Sequence, residues 1–89
     1  MLYKAKFSNG KLNVEEVIGY ANDDGSLTIQ TCGIYQKHLD FDGDMFDGAA
    51  YATTKNKAIE AMKASIAVDL ELARTEVARL EDLIAAVGA

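Results

Sequence analysis

Residues 55–89 read KNKAIEAMKASIAVDLELARTEVARLEDLIAAVGA. Within them Ile59, Met62, Ile66, Leu70, Ala73, Val77, Leu80, Ile84 and Val87 follow one another at steps of 3, 4, 4, 3, 4, 3, 4 and 3 residues. A mean step near 3.5 is the seam of a coiled-coil-like helix, with one stutter at Ile66–Leu70. Glu60 with Lys63, Glu71 with Arg74 and Glu76 with Arg79 set opposite charges three residues apart on the flanks, a helix-supporting pattern. A second apolar set, Ala61, Ala64, Val68 and Leu72, occupies the opposite face of the first half only. The first half is therefore expected to be covered on two sides and the second half on one. A helix of about 33 residues spans roughly 50 Å, whereas a compact chain of this length is on the order of 30 Å across. The helix must overhang its own body, carrying Leu70, Val77, Leu80, Leu83, Ile84 and Val87, and a second copy in a two-fold dimer is the simplest cover. The alternative is a break near Asp69–Thr75 and a fold back into a hairpin, which no Gly or Pro supports. The alternation in Ile66–Leu72 also suits a strand, but its setting favours helix.

Upstream the chain is different material. Six of the seven glycines lie before Ala49, so residues 1–54 read as strands and turns and residues 55–89 as helix, in one domain. Tyr3, Ala5 and Phe7 alternate with Lys4 and Lys6, as in a half-buried strand. Asn9-Gly10 suits a two-residue hairpin turn. The return strand, about Lys11–Tyr20, alternates imperfectly, which a bulge near Glu15-Glu16 would reconcile. Asn22–Ser26 is a second turn and Leu27–Cys32 a third strand. Residues 36–48 are a loop, or a loop around a short fourth strand, and Thr53 or Thr54 supplies the helix N-cap. The fold expected is α+β: an antiparallel meander of three to four strands, then one long C-terminal helix that packs on the sheet and dimerises.

With 14 Asp and Glu against 9 Lys and Arg, the 89-residue chain carries a formal charge of −5, which argues against binding nucleic acid or an anionic membrane directly. Cys32 is the only cysteine and reads as a small buried hydrophobe in a chain from a reducing, cytoplasmic setting. The opening residues lack the apolar core of a signal peptide, and no run is long enough to span a membrane. One His and one Cys cannot build the usual metal site. His38 has no partner set by sequence for catalysis and reads as a surface histidine. No catalytic residue, cofactor or metal is expected.

Residues 21–50 hold six Asp against Lys37 alone. Asp40, Asp42 and Asp44 are spaced as at the start of a calcium-binding EF-hand loop, which they resemble over five residues. Met45 and Tyr51 stand where such a loop needs Gly and a carboxylate. In an extended segment the same three side chains would form a row of negative charge about 6.8 Å apart, similar to a run of phosphates. In size and charge, though in no motif, the chain resembles small acidic inhibitors, including some phage-encoded anti-CRISPR proteins. A solvated acidic loop is the plainer meaning of the run. The aromatic residues all precede Ala52. Most should be core between sheet and helix, while Phe41 and Phe46 are candidate exposed anchors.

Two function classes follow. One is a non-enzymatic interaction module or inhibitor that meets a protein partner, including a nucleic-acid-binding one, through Asp40, Phe41, Asp42, Asp44, Phe46 and Asp47. The other is a structural or assembly protein whose oligomerising helix is the working part.

Overall fold

A computed structural model describes residues 1–88. It shows seven strands and one helix: β1 (Leu2–Ser8), β2 (Lys11–Val17), β3 (Gly19–Ala21), β4 (Leu27–Cys32), β5 (Tyr35–Leu39), β6 (Met45–Phe46), β7 (Ala49–Ala52) and α1 (Lys55–Gly88). The fold is α+β, but the strands do not form one meander. They make a four-stranded sheet, β2-β1-β7-β6, and a three-stranded sheet, β3-β4-β5. All neighbouring strands are antiparallel.

The β1–β2 hairpin turns at Asn9 and Gly10, both in the left-handed region (φ 54° and 76°), as a type I′ turn requires. Its register runs without interruption from Ser8↔Lys11 to Leu2↔Val17, so there is no bulge at Glu15-Glu16. The irregular alternation instead marks a change of sheet: β2 ends at Val17, and β3 starts at Gly19 in the other sheet. Glycine is needed there. A side-chain carbon on Gly19 would lie 2.5 Å from the Thr28 carbonyl oxygen and 2.9 Å from Leu2 Cδ1.

β7 is buried along its whole length because it pairs with both β1 and β6 and is covered on both faces. On one side Leu2, Ala49 and Tyr51 meet Leu27, Ile29 and Leu39 of the three-stranded sheet. On the other, Ala5, Ala50 and Ala52 cluster with Ala58 and Met62 of α1. The largest fully buried side chains thus lie between the two sheets, while the buried contact with the helix is mostly alanine, rimmed by half-buried Tyr3, Leu12, Val14 and Met45. The expectation that most aromatics lie between sheet and helix is not met. Tyr51 faces the second sheet, and Phe7, Tyr20, Tyr35 and Phe41 are exposed. The Cys32 side chain, expected to be buried, lies outside the described residues.

The helix is continuous, which removes the hairpin alternative. Thr54 Oγ1 accepts the Lys57 N–H at 3.1 Å and so caps its first turn. All three anticipated ion pairs form, with Glu76–Arg79 the tightest at 2.6 Å. At 34 residues the helix is about 51 Å long. The molecule measures 59 × 28 × 24 Å, so the helix sets its longest dimension.

Candidate functional site

The helix surface is the first candidate. Ala58 and Met62 are its only buried residues, and every residue from Ile66 to Gly88 is exposed. The two-sided cover expected over its first half is absent within one chain, since Ala64, Val68 and Leu72 are exposed. The six overhanging positions singled out from sequence are all open: Leu70, Val77, Leu80 and Leu83 are about half exposed, Ile84 is 72% and Val87 86% exposed. Leu80, Leu83, Ile84, Val87 and Gly88 border one apolar depression near the helix tip. An uncovered apolar stripe of this extent is uncommon on a monomer.

The acidic segment is the second candidate. Asp40–Asp44 is not extended. The chain turns back here between β5 and β6, with Asp44 N–H donating to the Phe41 carbonyl at 3.1 Å. Asp40, Asp42 and Asp44 therefore do not project as an evenly spaced row. The Asp42 carboxylate reaches toward the base of the helix. Its Oδ1 accepts the Thr53 N–H at 2.9 Å, and its Oδ2 accepts the Thr53 hydroxyl at 2.7 Å and Lys57 Nζ at 3.1 Å. Burial pushes this carboxyl upward, but the Thr53 and Lys57 contacts outweigh it and hold it below the usual range. The first helical turn has no acid of its own, so Asp42 supplies the negative charge that the helix N-terminus favours. Asp44 accepts N–H groups from Asp40 at 3.0 Å and from Met45 at 2.8 Å. Asp47 (φ 53°) and Gly48 (φ 75°) form the left-handed turn that joins β6 to β7. Three of the four aspartates in this segment thus have a role in the fold, and Asp40 is left with an exposed side chain.

Phe41 and Phe46 differ. Phe41 is 57% exposed. Phe46 is half-buried against the inter-sheet core, with Lys37 Nζ 5.4 Å from its ring centroid. Phe41 borders an open groove of about 730 Å³ between the acidic turn and the first half of α1, where Met45, Ala61, Ala64 and Val68 line it.

Elsewhere, Asp24 shapes the β3–β4 turn. Its Oδ1 accepts the Ser26 N–H at 3.0 Å and the Ser26 hydroxyl at 2.5 Å, and the Ser26 hydroxyl is the main cause of its lowered pKa. Among the described residues no group of three or more His, Cys, Asp or Glu is gathered to hold a metal ion. No described helix is long and apolar enough to cross a membrane. His38 is exposed. Compared with known proteins, the chain matches no family model, and no curated protein or solved structure shows significant similarity to it.

Proposed function

We propose that this chain is a non-enzymatic interaction protein that works as a homodimer, with the C-terminal helix as its assembly element. The observation that carries the reading is the uncovered seam of α1, in which Leu70, Val77, Leu80, Ile84 and Val87 are all 45% exposed or more. Burying such side chains is worth about 1.5–3 kcal/mol each when complete, and a second copy offers the same stripe in the same rhythm. The lone Cys32 fits a reducing, cytoplasmic setting. Sedimentation velocity between micromolar and hundreds of micromolar chain tests this. The wild-type chain is expected to sediment as a dimer, and Leu80→Asp or Ile84→Asp as a monomer whose body remains folded. A wild-type chain that stays single across that range overturns the reading.

Exposed Phe41 at the rim of the groove favours a second role, binding of a protein partner at the body, with Asp40 as the accompanying charge. In an inhibitor of a nucleic-acid-binding protein, the acidic face would be the part that takes the place of phosphates. Asp42 and Asp44, held by internal hydrogen bonds, support that role less than Asp40 does.

A further inference from the structure

We infer that the two helices pair antiparallel, with the two-fold axis between Ala78 and Arg79, so that Arg74 of each copy lies against the partner's Glu81. This rests on the self-pairing reading above and deepens it to orientation and register. Counted from Leu70, the seam keeps a strict 3-4 rhythm through Ala73, Val77, Leu80, Ile84 and Val87. Arg74 and Glu81 then lie along one flank of the seam, and Asp69, Glu76 and Leu83 along the other. Charges at these flanking positions set the orientation of paired helices.

In a parallel pair opposite flanks meet, five residues apart. Asp69 then attracts the partner's Arg74, but Glu76 faces the partner's Glu81, and the repulsion cancels the gain. In an antiparallel pair like flanks meet. With the axis between Ala78 and Arg79, Arg74 faces the partner's Glu81 twice over, and Glu76 faces the uncharged Leu83 of the partner. A shift of one heptad toward the body sets Arg74 against itself and Glu76 against itself. A shift toward the tip sets Glu81 against itself.

The structure leaves these groups available. Glu81 makes no ion pair among the described residues, and Arg74 reaches Glu71 only at 4.0 Å. Length agrees as well. In this register the partner's Gly88 comes level with Asp69, beyond the part of the helix that the body covers, which ends near Ser65. A heptad closer to the body it would come level with Met62, which is 4% exposed and already packed on the sheet. The stutter at Ile66–Leu70 falls at the very end of the overlap, so the paired seam from Leu70 onward keeps one rhythm.

Sedimentation equilibrium of the full chain at low salt, on wild type, E81R and the double variant R74E/E81R, tests the arrangement. E81R turns two attractive pairs into repulsive ones and is expected to weaken dimerisation on the order of tenfold. The double variant is expected to regain wild-type affinity, with helix content followed by circular dichroism throughout. A parallel pair predicts the opposite sign for E81R, since that substitution relieves the Glu76–Glu81 repulsion. A dimer that E81R tightens or leaves unchanged, or a double variant that stays weak, overturns the antiparallel register while self-pairing stands. A wild-type chain that never dimerises overturns both.

Discussion

Leu27 and Leu80 are the same residue in two solvents. Leu27 is fully buried between two sheets, whereas Leu80 is 45% exposed on a helix that nothing in its own chain covers. The body, from β1 to the first turns of α1, closes its core within itself: Leu2, Leu27, Ile29 and Leu39 are each 2% exposed or less. The overhang from Ile66 onward has the same kinds of side chain and no second layer to put them against. A helix gains stability mainly from packing one face, so these two regions depend on different things. The body closes on its own core, and the overhang, in the reading proposed above, closes on a neighbour.

The contrast can be broken most forcefully in the body. Leu27→Ala removes a fully buried side chain from the inter-sheet core, and such truncations cost about 2–5 kcal/mol. That is a large part of the stability of a small domain. Urea unfolding followed by the summed tyrosine fluorescence, to which Tyr51 of the same cluster contributes, should show the loss at every protein concentration. Leu80→Asp should instead leave the body folded and remove only the concentration-dependent part of the stability.

The parts of the structure that sequence shows plainly are the ones with short-range causes. Asn9-Gly10 makes its turn because both residues tolerate positive φ, and the seam of α1 repeats often enough to be unmistakable. The second sheet has no such signal. The step from Val17 to Gly19 looks like a bulge until the close approach of Leu2 and Thr28 to Gly19 is known. Strand β7 carries little compositional signal, because three of its four residues are alanines, which are depleted in strands, and Tyr51 alone favours one. Its local signal is Asp47-Gly48, since Asp-Gly between short runs is a hairpin signal in its own right. At the candidate site, the exposure of Leu80 and Phe41 is legible from pattern. The role of Asp42 is not, because its partners Thr53 and Lys57 are 11 and 15 residues away and no periodicity connects them.

Asp42 sits where the two regions join, and its effect is smaller and depends on pH. Its folded-state pKa is depressed, so the stability it adds is fully present above the ordinary aspartate value and disappears as pH falls through the folded one. Asp42→Asn keeps the shape but removes the charge facing Lys57 and the helix N-terminus. A loss of about 1 kcal/mol at neutral pH is expected. The gap between wild type and variant should narrow as pH falls below about 4, read from urea midpoints at a series of pH values. A gap that is constant with pH would mean that the carboxylate acts through its hydrogen-bonding shape rather than its charge.

The smallest expected effect sharpens the comparison within the overhang itself. Leu72 is 64% exposed, more so than Leu80, yet it lies off the seam, on the face that turns charged further along the helix. If exposure alone marked a working surface, replacing Leu72 should matter at least as much as replacing Leu80. If periodicity marks it, Leu72→Gln should leave self-association unchanged and alter stability by no more than about 0.5 kcal/mol, as at an ordinary surface site. Glutamine keeps the helix propensity close to that of leucine, so a loss of dimer could not be put down to a weakened helix. Parallel sedimentation runs on Leu72→Gln and Leu80→Gln therefore separate the two explanations. Equal loss from both would mean that the contact wraps around the helix, and the two-helix seam would have to give way to a larger bundle.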